Sequence, residues 1–170
     1  MVCKEIIGNL STYPVGSKEI DLLYLEWYEM PKRILRKKSE KGREVAVKFL
    51  REGQRLHEGD IILEDENTIL AIAVKPCESL EVTPRNLLEM GTICYEIGNK
   101  HLPLFIQDGK VLIAYEKPLE RLLIASGYRV TKKNCKLTNM LKINIDHTHV
   151  SNNPSLFSKI LDLTSKQADQ

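Results

Sequence analysis

The sequence predicts an α+β protein: an N-terminal all-β domain, then a ferredoxin-like βαββαβ domain, then a mobile C-terminal tail. Three observations support this prediction. Alternating apolar and polar residues dominate 1–75, and two helical patterns lie between strand patterns over 76–143. Over 144–170 the pattern changes, and only a short helix at 154–164 is predicted, which nothing obliges to pack. The chain has 170 residues, of which 42% are hydrophobic and 28% charged, so it can bury the cores of two small globular domains.

Strands are predicted in the N-terminal domain because apolar residues recur at every second position, first at 23–27 and again at 45–49. Two hairpins are also predicted. Their strands lie at 34–38 and 43–49, joined by a turn at 39–42, and at 60–64 and 68–74, joined by a turn at 65–67. No long helix is predicted here, and both a small barrel and a sandwich fit the pattern.

A first helix is predicted over 84–98, after a change of pattern at 75–78 and a short strand at 80–82. Thr83 can cap its N-terminus, and Pro84 suits the first helical position. Helical spacing then predicts one apolar, buried stripe, formed by Leu87, Met90, Cys94 and Ile97. Gly98 or Asn99 can take the left-handed conformation that closes a helix.

The rest of the second domain continues the βαββαβ order. We predict strands at 102–107, 110–115 and 128–136, with a second helix at 118–126. Asp108-Gly109 between two apolar runs is a strong hairpin signal. Pro118 starts the second helix and Gly127 ends it. Its buried face is predicted to hold Leu119, Leu122 and Leu123.

The bulk properties exclude several classes of function. A net charge of +2 is too small to indicate a nucleic-acid or membrane partner, and the basic run at 32–38 has acidic neighbours and no interleaved aromatic residues. No apolar run approaches the roughly 20 residues that span a bilayer, and the N-terminus lacks a secretory pattern. The sequence has no Gly-x-Ser-x-Gly, P-loop or His-Glu-x-x-His motif, so we do not expect an enzyme. Four widely spaced cysteines indicate reduced thiols and a cytoplasmic protein: Cys3, Cys77, Cys94 and Cys135.

The histidines are the most informative polar residues. His147 and His149 would project to the same side of an extended tail, where two imidazoles can bind Ni²⁺, Zn²⁺ or Cu²⁺ weakly; a solvated tail is the alternative. His101 follows the end of the first helix, so it is either hydrogen-bonded locally or exposed to an ion or a partner. His57 is predicted to be solvated in a loop. Cys77 is either an ordinary linker thiol or an auxiliary ligand for a soft metal.

Several segments resemble one known family, the UreE-type urease accessory proteins, which are nickel metallochaperones. Residues 95–101, Tyr-Glu-Ile-Gly-Asn-Lys-His, resemble the family's Glu-Ile-Gly-Asn-Arg-His segment. Glu26-Trp27 with the basic run at 32–37 resembles the family's N-terminal region, and 115–120 resembles the start of its second helix. The resemblance covers about residues 3–149, in order and with compatible spacing.

This resemblance implies a homodimer formed through the C-terminal domain, with Ni²⁺ held on the two-fold axis by His101 from both subunits. His147 and His149 would supply further ligands, and Zn²⁺ or Cu²⁺ could bind the same site. The implied role is delivery of Ni²⁺ to the urease apoprotein together with a urease accessory GTPase. Some members end in a histidine-rich tail, but the residues after His149 contain no histidine, so we expect few ions per dimer.

A second hypothesis is a peptide-binding adaptor of the urease assembly complex, in which metal binding is incidental. The resemblance implies that the N-terminal β domain, 1–75, binds a peptide or partner. Exposed strand edges can accept an added strand from an extended segment. The same resemblance implies that the ferredoxin-like domain, 76–143, binds metal and forms the dimer.

Overall fold

The computed structural model describes residues 1–50 and 54–141, so the whole predicted tail at 144–170 lies outside the described residues. Two α-helices and a short 3₁₀-helix at Trp27–Glu29 accompany the strands in this part of the chain. The strands are β1 (Val2–Cys3), β2 (Gly8–Asn9), β3 (Glu19–Leu25), β4 (Ile34–Lys38), β5 (Glu44–Lys48), β6 (Asp60–Glu64), β7 (Thr68–Val74), β8 (Cys77–Val82), β9 (Phe105–Gln107), β10 (Lys110–Ala114) and β11 (Val130–Cys135). The α-helices are α1 (Leu87–Asn99) and α2 (Lys117–Ala125).

The N-terminal region is a sandwich of two sheets, one with the order β1-β5-β4 and the other with the order β2-β6-β7-β3. Both predicted hairpins are confirmed, because β4 pairs antiparallel with β5 and β6 pairs antiparallel with β7. The sequence pattern did not reveal that β3 pairs in parallel with β7, from Glu19 opposite Thr68 to Leu25 opposite Val74.

The two N-terminal sheets enclose one apolar core. Strand β7 is buried along its whole length: Leu70, Ile72 and Val74 face this core, whereas Ile69 and Ala71 face a second, smaller cluster. Side chains from both sheets and the loops between them complete the main core: Cys3, Leu23, Leu25, Met30, Leu35, Val45, Val47, Phe49, Leu56 and Ile62.

A buried carboxylate, Asp21 on β3, ties the β4–β5 hairpin to the opposite sheet. Its oxygens accept a 2.7 Å hydrogen bond from the Ser39 hydroxyl and a 3.1 Å bond from the Lys41 backbone N–H. The Arg43 Nε lies 3.8 Å from the same carboxylate. Asp21 is fully buried, so these donors replace the water that the charge loses on folding.

The C-terminal region is the predicted ferredoxin-like fold. Its four strands have the order β11-β8-β10-β9, and every neighbouring pair is antiparallel. Both residues of the predicted turn, Asp108 and Gly109, have positive φ, which matches the type I′ hairpin that this dipeptide favours. The helices cover one face of the sheet, and the core between them is Leu80, Val82, Ile93, Ile97, Leu104, Val111, Ile113, Leu119 and Leu123.

The other face of this sheet is covered by the N-terminal region. The Trp27 ring meets the Phe105 ring edge-on, with 5.6 Å between the ring centroids, over a cluster that includes Leu112 and Leu137. Lys136 adds a 2.6 Å ion pair with Glu58. The Phe105 cluster is buried between the two regions, so they share apolar surface and are not simply tethered.

The first helix begins later than predicted. Asn86 is its N-cap, and the Asn86 side chain accepts a 2.9 Å hydrogen bond from the backbone N–H of Glu89. Thr83 and Pro84 therefore precede the helix, and the predicted cap was wrong. Leu87 is also not part of the buried stripe, since it is 86% exposed; Ile93 and Ile97 are the buried residues of α1.

The two helices end in the same hydrogen-bonded motif. At the end of α2, Gly127 has φ 80° and donates to the Ile124 carbonyl, while Tyr128 donates to Leu123. At the end of α1 we predicted that Gly98 or Asn99 would be the left-handed residue. In the structure it is His101, with φ 56°. This is the Schellman closure, in which glycine is usual because a side chain destabilises the left-handed conformation.

The corresponding bonds at α1 fix His101 firmly. The His101 N–H donates to the Gly98 carbonyl at 2.9 Å, and the Leu102 N–H donates to the Ile97 carbonyl at 3.4 Å. Leu102 and Ile97 also belong to the same apolar cluster, as the motif requires. In α2 the exposed Leu122 was wrongly predicted to be buried, whereas Leu119 and Leu123 are buried as predicted.

One charged group on the covered face of the C-terminal sheet has two cationic partners. The nearly buried carboxylate of Glu81 accepts a 2.7 Å hydrogen bond from the Lys110 ammonium and a further bond from Lys133. These two hydrogen bonds hold the pKa of Glu81 below its ordinary value, although burial acts in the opposite direction. The lowered pKa makes this carboxylate a source of stability at neutral pH.

We predict that Glu81→Gln lowers the free energy of unfolding at neutral pH by about 1–3 kcal/mol, because hydrogen bonds to a charged group are lost. The difference in free energy of unfolding between wild type and variant is present above the unfolded-state pKa of a glutamate. It disappears as pH falls through the lower folded-state pKa of Glu81. Urea unfolding at several pH values measures this. Glu78→Gln, on the same strand but paired with Lys132 at an exposed position, is the control and should change little. Equal losses in both variants at neutral pH would contradict the prediction.

We also predict that His101→Gly raises the free energy of unfolding of the metal-free protein by about 0.5–1 kcal/mol, since glycine adopts the left-handed conformation without a steric cost. The reciprocal change, Gly127→Ala at the end of α2, should lower it by about 1 kcal/mol. No atom lies within 4 Å of the Cβ that alanine would add, so that effect is conformational. Urea unfolding of both variants is the measurement, and a destabilised His101→Gly protein would refute this account of the α1 terminus.

Candidate metal centre

His101 is exposed at the C-terminal end of α1 and lines a small surface cavity of about 250 Å³. The backbone of the helix closure holds it in place, so the imidazole projects from a rigid support. The other residues lining this cavity are Arg55, Leu102, Pro103, Leu104, Met140 and Leu141. The structure thus agrees with an exposed His101, one of the two alternatives left open by the sequence.

The last described residue, Leu141, lies beside His101 in this cavity. Its N–H donates a 2.9 Å hydrogen bond to the Leu104 carbonyl, which fixes where the chain leaves the described region. His147 and His149 lie outside the described residues. His147 follows Leu141 by six positions (147 − 141), and an extended chain of that length spans about 20 Å. The chain is therefore long enough for His147 and His149 to come near His101.

A single chain does not form a ready metal site in the part that the structure describes. Within residues 1–50 and 54–141 no three histidine, cysteine or acidic side chains are grouped so that they could hold a metal ion. His57 is 63% exposed, as predicted, and its Nδ1 lies 3.5 Å from an Asp60 carboxylate oxygen. Cys94 is partly buried against the helix-side core, as its position in the predicted stripe indicated.

One face of α1 is apolar and exposed. Leu88 is 82% exposed and Tyr95 is 71% exposed, and both lie on the surface that also includes Gly91 and Thr92. The spacing of 88, 91–92 and 95 is that of a stripe along one side of a helix, and it leads toward His101 at the helix end. Exposed aromatic and aliphatic side chains with helical spacing are typical of a surface that contacts another protein.

A larger cavity of about 290 Å³ lies between the two regions of the chain and does not include His101. Trp27, Leu56 and Phe105 line its apolar wall, and His57 and Glu58 supply polar groups at its rim. It borders the cavity beside His101, because Arg55 and Met140 line both. Its location is that of a contact between domains.

The basic run at 32–38 is largely compensated. Lys32 and Lys37 both pair with the Glu29 carboxylate, and Lys38 lies 3.5 Å from Glu44. The hydrogen bond from Lys37 and the charges of Lys37 and Lys32 lower the pKa of Glu29, and burial opposes them as the largest single influence. These ion pairs involve three of the five cations of the run, and they reduce the positive charge that it could offer to a phosphate backbone.

Two features of this site were missed in the sequence. The left-handed backbone of His101 was assigned to its neighbours, because glycine and asparagine are the usual residues there. The exposed face of α1 was missed because the helix start was set three residues too early, at Pro84 instead of Leu87. The Asn86-x-x-Glu89 spacing, typical of a capped N-terminus, was the available signal. No helix in the described part of the chain is long and apolar enough to span a membrane.

Comparison with known proteins gives a consistent result over nearly the whole chain. The profile described as the UreE urease accessory protein, N-terminal domain, matches residues 3–75, and the corresponding C-terminal domain profile matches residues 78–151. A urease accessory protein UreE from Flavobacterium johnsoniae is 45% identical over 163 residues, covering 96% of this chain and 99% of the relative.

Two further relatives have the same name. The UreE of Actinobacillus pleuropneumoniae is 40% identical over 152 residues, covering 87% of this chain and 81% of that protein. The UreE of Acetivibrio thermocellus is 37% identical over 152 residues, covering 88% and 99%. Together with the two domain profiles, these similarities show that the chain belongs to the UreE family of urease accessory proteins.

Proposed function

We propose that this protein is a metallochaperone that binds Ni²⁺ at a homodimer interface and delivers it to the urease apoprotein, acting with a urease accessory GTPase. The observation that supports this most is the exposed His101, held at a rigid helix end beside Leu141, which precedes His147 by six positions in the sequence. The family to which the chain belongs is named for an accessory role in urease assembly, which fits a carrier and not an enzyme. We place this function in the cytoplasm.

A second copy of the chain would supply the missing ligand. The apolar face of α1, with Leu88 and Tyr95, gives two copies a surface to bury, and it leads to His101. Packing two such faces around a two-fold axis near the helix ends would bring two imidazoles to one ion. Because one chain groups no three candidate ligands among its described residues, dimerisation explains how a useful affinity could arise.

The remaining ligands would come from His147 and His149, which the chain length allows to reach the same point. We therefore propose three divisions of the chain. Residues 1–75 bind a partner, 76–143 bind the metal, and 144–170 supply further ligands. Neutral imidazole nitrogens suit Ni²⁺, and they also suit Zn²⁺ and Cu²⁺. Ligands at an interface can be replaced one at a time by a receiving protein, as transfer requires.

The adaptor hypothesis receives less support from the structure. Strand β4 is an edge of its sheet, but its exposed positions include Arg36 and Lys38. Charged side chains on an edge strand oppose the addition of another strand. Deleting 1–75 is a poor test of the two hypotheses, because it would expose the Phe105 cluster that Trp27 covers. Variants of His101 in the full chain test them better.

We predict that His101→Ala weakens Ni²⁺ binding by more than about 10-fold, because even groups that only orient a metal ligand are worth about 10–100-fold in affinity. Isothermal titration calorimetry on the full chain is the measurement, with His57→Ala as the control for loss of an exposed histidine. Wild-type affinity should also fall as pH is lowered through the histidine range, around pH 6.5, since protonated imidazole cannot bind a metal. Undiminished affinity in His101→Ala would favour the adaptor.

We predict that Tyr95→Glu shifts the protein from dimer to monomer and weakens Ni²⁺ binding with it, since a charge would be buried in the proposed interface. Sedimentation velocity across a concentration series measures the first effect and calorimetry the second. Ile34→Glu is the matched control, because Ile34 is 67% exposed on β4 and far from α1 in the topology. A Tyr95→Glu protein that stays dimeric would exclude this face as the interface.

A further inference from the structure

Two of the four cysteines lie directly opposite each other in the C-terminal sheet. Cys77 is the first residue of β8 and Cys135 is the last residue of β11, and the antiparallel register pairs them. Directly opposed residues of neighbouring strands point to the same face of a sheet. No local pattern in the sequence predicts this pair, because 58 positions separate the two residues (135 − 77).

The Cα spacing at this pair lies within the range found in disulfides, and closure draws the two Cβ atoms from the about 4.5–5.5 Å typical of opposed residues to about 3.5–4.5 Å. The Thr83 N–H donates to the Arg129 carbonyl at 3.0 Å, which makes 83 and 129 a hydrogen-bonded pair of the same register. Such pairs recur at every second residue, so Cys77 and Cys135 are also of this kind, with Cα atoms typically about 5.5 Å apart. Disulfides usually join Cα atoms about 4.4–6.8 Å apart.

The two side chains also share the same surroundings. Both thiols are partly buried and face the cluster of Phe105, Leu112 and Leu137, with the Cys135 Sγ 2.9 Å from the Ser79 hydroxyl. Burial raises the pKa of the Cys77 thiol, and the nearby Cys135 and Glu26 raise it further. The influence of Cys135 on Cys77 reflects their closeness, and the raised pKa indicates slow oxidation at neutral pH.

We propose that Cys77 and Cys135 are a redox site that closes reversibly to an intramolecular disulfide when it meets a small-molecule disulfide such as oxidised glutathione. One protein thiolate attacks a sulfur of the oxidant, forms a mixed disulfide and releases one small thiol. The second cysteine, deprotonated, then attacks the protein sulfur of that mixed disulfide and releases the other small thiol. Two protein thiols are oxidised, one small disulfide is reduced, and the protons end on the two released thiols.

Closure would join the two ends of the ferredoxin-like sheet. Cys77 follows the connection from β7, and Cys135 lies six positions before Leu141, which lines the cavity beside His101. A bond between them fixes both ends of the chain segment that contains β8 to β11. In a reducing compartment the pair stays open, and cysteine pairs that do close there are typically transient and redox-sensing. This inference does not depend on the identity of the metal or on the dimer.

The test uses the full-length protein in glutathione buffers of increasing oxidised fraction. Free thiols are counted with a chromogenic reagent, and the product is digested and analysed by mass spectrometry without reduction. We expect two of the four thiols to disappear, a peptide linked through Cys77 and Cys135, and faster closure as pH rises. Reduction with dithiothreitol should restore all four thiols.

The variants make the assignment specific. Cys77→Ser and Cys135→Ser should each abolish the loss of two thiols, whereas Cys94→Ser, which removes a partly buried thiol on α1, should leave it unchanged. Oxidised wild type should also melt at a higher temperature than reduced wild type, and oxidised Cys77→Ser should not. Retention of all four thiols, a stable glutathione adduct on one cysteine, or a disulfide between chains would overturn the proposal.

Discussion

The candidate site depends on one backbone constraint, which is a histidine in the left-handed conformation at the end of α1. Hydrogen bonds from His101 and Leu102 to the carbonyls of Gly98 and Ile97 impose this conformation, and Leu102 packs into the core to complete it. Glycine fills the equivalent position at the end of α2 and satisfies the same geometry without steric cost. Retaining an imidazole where glycine would be more stable is what one expects when the side chain is needed for function.

The second constraint is that the ferredoxin-like sheet is covered on both faces. Its helices pack on one face. Trp27 and its neighbours pack on the other, so the N-terminal sandwich covers Phe105. This arrangement places the chain after β11 in a narrow position between the two regions. Leu141 therefore emerges at a defined point beside His101, and the geometry of the candidate site depends on how the two regions pack.

Local sequence signals predicted most of the elements, both hairpins of the sandwich and the β9–β10 hairpin, because turns such as Asp108-Gly109 are determined by the residues within them. The errors arose where two local signals competed. Pro84 suits the start of a helix, but the Asn86 cap starts α1 instead, and Leu87 is exposed as a result. His101 was identified as the candidate ligand, but its conformation depends on tertiary packing by Leu102. The opposed cysteines depend on strand register, which no short-range pattern in the sequence reveals.

The order of pairing in the N-terminal sandwich has a consequence for how the chain folds as it is synthesised. Strand β3 pairs in parallel with β7. Glu19 therefore pairs with Thr68, which is made 49 residues later in the chain (68 − 19). Likewise β1 pairs with β5, and β2 pairs with β6. Contacts so distant in sequence slow folding, because the intervening chain must first be ordered. The sandwich therefore cannot close until β7 has been synthesised, and the whole ferredoxin-like region follows β7 along the chain.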